Sequence, residues 1–453
     1  MSVQSRTRAL AQLEALVGSE HMETASALCS RYAIGTMAPA AVVCPASVEQ
    51  VAEVLGFCAR EHLAVVPSGN GSKLWIGNRP ARYDVALVTT HLTRLVDYDP
   101  GDLTLAVEAG MPVAALATRV HTEGQFLPLA VPFADQATVG GAVACGLEGP
   151  LRHYYGTARD WVLGASFVTG DGCLARSGGR VVKNVAGYDV HRLLVGSLGT
   201  LAVLTQVNLR TYPLPGPTLV LVIRCATLHS ATTLLRHLRR SATRFHALDL
   251  LTDCWADLLA ERIPIDPPEI CVAADFRGSE RACARVRQEV ERLAGSVHHA
   301  DVTAVPVEQT TAVTACWQEL LQTVRALYPE SLLVRTSLLP TTLNDTVAAL
   351  EAEAAPLGFR TGVLARATGT TYLLFRPVSP RPGSDSFLLL WERVRAIFEA
   401  RGLHGCRFQG PAGLQETASV WVGTASSLDA MRALKDAFDP GRILSPNRFV
   451  GGI

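Results

Sequence analysis

The chain has 453 residues, too many for one ordinary hydrophobic core, so two domains are expected. Its 41 basic and 41 acidic side chains cancel, which removes the electrostatic footprint of a nucleic-acid or anionic-membrane binder. Eleven cysteines include no CxxC pair and no cluster able to hold zinc or an iron-sulfur centre; they read as small apolar side chains in a reducing compartment.

The amino terminus carries arginines and glutamates in a short helical pattern, without a secretory apolar run, and reads as mature cytoplasmic protein. The most apolar long stretch, 126–147, is interrupted by Pro128, Pro132, Asp135 and paired glycines, so no direct membrane span is expected. Ser47 and Gln50 form a capping-box signature ahead of Val51, Val54, Leu55 and Cys58, which share one helix face. A buried strand LAVVP follows, then the strands DVALVTT and LTLAVEAG, a helix over 113–121, the strand VLGASFVTG and a hairpin turn at Asp171-Gly172. Beyond TYPLPGP the pattern changes to longer amphipathic helices between short apolar strands. Helices are expected over 231–238, 281–293, 345–355 and 387–400, and TGVLARAT and TYLLFRP read as a strand pair. The sum is an α+β chain with a sheet covered by helices in its second half. The stretch PVSPRPGSDS reads as a surface loop.

Three segments carry chemistry. The strand LAVV runs into PSGNGSKLWIG, where Gly69 and Gly71 permit successive backbone amides to converge on an anion; a plain turn accounts for this segment equally well. The Walker loop is excluded because Lys73 follows a serine and precedes a leucine, and the Rossmann turn because no helix opens after the glycines. The second segment packs Gly140, Gly141, Gly146, Gly149 and Gly156 where small residues admit a flat cofactor, or simply a tight edge. The third holds Gly196 and Gly199 after a short helix that Asp189 is placed to cap. Lys183 and Arg159 suit a diphosphate or a reduced flavin, or a solvated surface. His298 and His299 are adjacent and point apart, which argues against a metal site.

The segments ATVGGAVACGLEGP, YGTARDWVLG, GGRVVKNVAGYD and LLVGSLGTLAVLT, in this order after PSGNGSK, resemble the FAD-binding domain of the vanillyl-alcohol oxidase and p-cresol methylhydroxylase (PCMH) flavoproteins. They look most like glycolate oxidase E-type subunits, and the terminal LKDAFDPGRILSPNRF is similar to the tail that returns to the flavin domain in this family. The resemblance implies a helical extension over 1–40, a two-subdomain FAD-binding domain over 41–213, an α+β cap over 214–425 and a returning tail over 426–453. It implies a diphosphate cradle at Pro67, Ser68, Gly69, Asn70, Gly71, Ser72 and Lys73. Thr138, Val139, Gly140, Gly141 and Gly146 would lie along the cofactor, with Tyr155, Gly156, Arg159 and Asp160 near the flavin and Gly199 and Val203 at the adenine. No histidine lies between Leu63 and Thr90, where the family commonly attaches flavin, so noncovalent FAD is expected; Cys145 is a second conceivable attachment point.

The family's histidine-rich HxGDGNxH motif is missing, and ARATGTTYLLFRP stands in its place. Arg366, His404 and Arg407 remain as weak catalytic candidates, each with packing or a surface as its ordinary role. The implied function is the FAD-binding subunit of a glycolate oxidase complex, alongside a catalytic D-type flavoprotein and an iron-sulfur subunit, and membrane-associated only through a partner. A stand-alone D-2-hydroxy-acid dehydrogenase, or a noncatalytic FAD relay subunit, are the alternatives.

Overall fold

In the computed structural model the chain is described over residues 3–180, 187–261, 268–297, 300–378, 383–411, 414, 418–423 and 426–453. Lys183, His298 and His299, and part of the proline-rich loop after Val378, lie outside the described residues. Two compact units emerge: Met1–Leu147 with Thr157–Leu214 and Thr424–Ile453, and Glu148–Gly156 with Pro215–Gly423.

The first unit is built on two sheets. One contains β1 (Met22–Glu23), β2 (Ala41–Val43), β3 (Val65–Ser68) and β4 (Val85–Val88) in the order β1-β2-β4-β3, with β4 parallel to both β2 and β3. The other contains β5 (Leu95–Asp99), β6 (Thr104–Glu108), β8 (Val162–Thr169), β9 (Leu174–Gly178) and β10 (Ala202–Arg210) in the order β5-β6-β10-β8-β9, all antiparallel. The short β7 (Gln125–Phe126) pairs with β11 (Tyr212–Pro213). β2 and β4 are fully buried runs of valine, alanine and leucine, as strands covered on both faces require, and β3 opens with the buried Val65 and Val66 before Pro67 and Ser68.

The helix Val48–Arg60 shows why one face of this sheet closes. Val51, Val54, Leu55 and Cys58 recur at helical spacing and are fully buried with Val43, Val65 and Leu87. Ser47 Oγ accepts from Gln50 N at 3.2 Å, but Gln50 Oε1 accepts from Ala46 N at 2.8 Å. The reciprocal arm of the expected capping box thus lands one residue early. Replacing Leu55 by alanine costs about 2–5 kcal/mol through lost contacts and a cavity.

The tail packs into the same core. After the helix Leu428–Phe438, Val65 N donates to Ile443 O and Ser445 N to Val65 O, both at 2.8 Å, so the tail lines up beside β3. Lys435, 3% exposed, donates to Asp439 Oδ2 at 2.6 Å and to the carbonyls of Thr200 and Leu444 at 2.7 Å each. Asp439 in turn accepts from the amides of Ile443 and Leu444. All three ammonium protons are placed, which makes so deep a charge tolerable.

The second unit centres on one antiparallel nine-stranded sheet. Its strands are β12 (Thr218–Cys225), β13 (Ala247–Thr252), β14 (Ile270–Arg277), β15 (Ala300–Ala304), β16 (Leu332–Ser337), β17 (Phe359–Arg366), β18 (Thr370–Pro377), β19 (Gly405–Gln409) and β20 (Trp421–Val422). The spatial order is β15-β12-β14-β13-β17-β18-β16-β19-β20. Helices Leu228–Arg240, Glu280–Gly295, Leu343–Ala354 and Ser384–Ala400 bury their apolar stripes on one face, against Leu248, Leu250, Val363, Leu373 and Phe375 among others. The expected strand pair is β17 and β18, with Val363 opposite Leu373. The segment Glu148–Gly156 is pinned to this unit by Arg152, which donates to Thr370 Oγ1 at 3.1 Å, and by Tyr154, whose ring stacks on His246 at 4.1 Å.

Candidate functional site

In the first unit, the end of β3, the turn after it, the helix Val139–Cys145, β10 and the tail line a half-open cavity of about 80 Å³. Its walls include every residue from Pro67 to Lys73, together with Thr138, Gly140, Gly141, Gly199 and Val203. Three glycine-bearing segments far apart in sequence therefore meet at one place.

Backbone geometry explains the residue types. A Cβ at Gly69 would lie 2.0 Å from Thr138 Oγ1, so any side chain there would displace the threonine. That hydroxyl also accepts from Gly141 N at 3.2 Å, capping the helix. Gly71 at φ +77° and Gly199 at φ +67° occupy the left-handed region that disfavours side chains.

The polar groups of the cavity are unevenly provided for. Ser68 Oγ is buried and has no hydrogen-bond partner in the structure. Lys73 is 6% exposed, and burial pulls its ammonium below the usual lysine range. The Cys145 thiol also lines the cavity, and burial raises it, which favours its protonated form.

Arg448, from the tail, is a lining residue that sequence reasoning missed. It is 3% exposed and donates to the carbonyls of Leu74 at 2.9 Å, Asn78 at 3.1 Å and Ile76. Those bonds fix the loop that follows the glycine turn.

The remaining expected residues stand elsewhere. Val139 is fully buried in the apolar core beside the five-stranded sheet. Gly146 ends its helix at φ +59°, and a Cβ there would lie 3.0 Å from Gly196 Cα, so it serves a close backbone crossing. Arg159 donates to Val195 O at 3.4 Å. Asp160 accepts from the Thr157 amide at 2.7 Å and hydroxyl at 2.9 Å, as a capping box. Tyr155 and Gly156 belong to the second unit. Asp189 takes the expected position before the helix Val190–Leu194, but its carboxylate pairs with Arg192 at 3.3 Å and makes no capping bond.

Two of the three catalytic candidates are engaged internally. Arg366, 6% exposed, holds Asp249 Oδ2 at 2.5 Å, and Trp317 Nε1 donates to the same oxygen at 2.8 Å. Burial pushes the Asp249 carboxyl up, while Arg366 opposes this. Arg407, 2% exposed, donates to the carbonyls of Leu414 and Ala418 and lies over the Trp391 ring; burial lowers it to about 10. His404 is exposed.

Residues 39–178 match the family model for the FAD binding domain, and 423–449 match the C-terminal domain of FAD linked oxidases. The chain is 25% identical over 417 residues to glycolate oxidase subunit GlcD of Bacillus subtilis, across 90% of this chain and 88% of that one. It is 42% identical over 158 residues to glycolate oxidase subunit GlcE of Escherichia coli, across 35% of this chain and 45% of that one. The solved structure of p-cresol methylhydroxylase shares the fold, with a TM-score of 0.77 at 14% identity over 99% of this chain and 97% of that one. The cavity suits such a cofactor: Gly69 and Gly140 leave no room for a Cβ, Gly71 and Gly199 lie at positive φ, and Ser68 Oγ stands unpartnered in its wall.

Proposed function

We propose that this FAD-dependent oxidoreductase, a flavoprotein of the p-cresol methylhydroxylase and vanillyl-alcohol oxidase type, oxidises a small 2-hydroxy acid, glycolate first, as the FAD-binding subunit of a heteromeric complex. The supporting observation is the convergence of the Pro67–Lys73 turn, Thr138, Gly140, Gly141, Gly199 and the tail's Arg448 on one cavity. Bound FAD supplies the two-electron acceptor for the hydroxyl-bearing carbon.

The chain's own residues bind and orient. Amides along Ser68 to Lys73 hold the diphosphate, with Gly69 and Gly71 keeping the backbone close to it. Ser68 Oγ donates to a cofactor oxygen and so gains the partner it lacks within the protein. Thr138 fixes the start of its helix against Gly69, and Arg448 fixes the loop beyond Lys73. Attachment is noncovalent: no histidine occurs in the first glycine turn, and the Cys145 thiol is held protonated.

The division of labour is read from the substrate side. Arg366 and Arg407 are engaged by Asp249 and by carbonyls, which supports a catalytic D-type flavoprotein as partner, and the lack of clustered cysteines in the sequence supports an iron-sulfur subunit beside it. A stand-alone D-2-hydroxy-acid dehydrogenase is the second reading, favoured by the match that spans 88% of GlcD while the GlcE match stops at 35% of this chain. Anaerobic titration with glycolate and D-lactate, with and without co-expressed partners, separates them. Flavin bleaching by glycolate only in the complex is expected; bleaching of the isolated chain by D-lactate would establish the second reading.

A further inference from the structure

We propose that the Lys73 side chain is the counter-charge for the FAD diphosphate, a role distinct from the backbone cradle and resting on the FAD reading above. Lys73 lies on the turn that holds Gly69 and Gly71, is 6% exposed and lines the cavity. Its ammonium donates to Ser72 Oγ, next in the chain, at 3.1 Å. Among the described residues, no aspartate or glutamate lines the cavity. The other cation there, Arg448, already holds three carbonyls.

Lys435, in the same unit, is the internal control. It is buried to a similar depth, and its three protons are placed on Asp439, Thr200 and Leu444. A buried ammonium without such partners carries a desolvation cost that an arriving anion removes. The depressed ammonium of Lys73 agrees in direction. The diphosphate is favoured over the reduced ring because Lys73 lines the cavity on the same turn as Gly69 and Gly71, whose backbone can approach an anion closely.

The test uses apoprotein prepared from the full chain, as wild type, Lys73→Met and Lys73→Arg, titrated with FAD, with ADP (diphosphate without ring) and with riboflavin (ring without diphosphate). Methionine should weaken FAD and ADP about 10- to 100-fold, the weight of one charge-assisted hydrogen bond, and leave riboflavin unchanged. Arginine should restore most of the loss. The Lys73→Met apoprotein should melt no lower than wild type, because an unpaired buried charge has been replaced by an apolar group of like volume. Unchanged FAD and ADP affinity, an equal loss for riboflavin, or a lower melting temperature of the apoprotein would each overturn the inference. A wild-type apoprotein that binds no FAD would instead overturn the FAD reading on which it rests.

Discussion

The nine-stranded sheet of the second unit and the cavity of the first treat buried charge in opposite ways. On the nine-stranded sheet of the second unit, Arg366 is matched by Asp249, Arg277 by Asp275, and Arg360 and Arg376 by Asp253, while Arg407 lies on backbone carbonyls. In the cavity of the first unit, Ser68 and Lys73 are buried without comparable partners. The sheet answers its charges from within the fold, although Asp249 Oδ1, Arg366 Nε and Arg407 Nη1 remain buried without a hydrogen-bond partner of their own. In the cavity the unmatched groups are a hydroxyl and an ammonium that line one opening, and both suit an anion.

The sharpest way to strain this contrast is to break a matched pair. Asp439→Ala leaves Lys435 buried and unpaired and should cost ~3–5 kcal/mol, read as a lowered denaturation midpoint of the first unit. Arg366→Met strands Asp249 in the same manner, with a loss at the low end of ~3–5 kcal/mol because Trp317 still donates to the carboxylate. Adding Asp249→Leu should return most of that loss, and FAD affinity should stay at the wild-type value throughout. A marked FAD defect in Arg366→Met would dissolve the distinction between the units.

A smaller effect concerns protons. His246 is buried against Tyr154 and Phe276, and burial, with Arg277 and His153 adding to it, lowers it to about 4. The unfolded chain binds that proton near pH 6.5, so its contribution is complete above 6.5 and is lost as pH falls toward about 4. His246→Gln should flatten the acid limb of a pH-dependent melting curve. The smallest change is Ser68→Ala, which removes a donor that has no partner in the protein. It should leave apoprotein stability within about 1 kcal/mol while weakening FAD several-fold, measured by fluorescence titration.

Much of the architecture was legible because it rests on local periodicity. The helix expected over 113–121 is the helix Val113–His121, and the four-residue face from Val51 to Cys58 is the buried face of its helix. The glycine turn was legible because a strand running into closely spaced glycines has few local solutions. The rest depended on contacts that spacing does not encode. Arg448 reaches Leu74 across 374 positions and binds carbonyls, which carry no residue-type signature. Arg366 looked available because Asp249, 117 positions away, is brought to it only by the pairing of β13 with β17. Gly146 has a reason to be glycine that spacing does not encode, its left-handed φ and the close Gly196 backbone.

The central claim is that the first unit holds FAD noncovalently in the cavity built around Gly69. The most direct measurement is flavin content of the purified wild type and Gly69→Val, before and after denaturation and removal of the protein. The wild type should be yellow and release all its flavin as FAD, and Gly69→Val, with its side chain driven into Thr138 and the cavity, should purify without flavin. Flavin remaining with the denatured protein, or a full complement of FAD in Gly69→Val, would contradict the account.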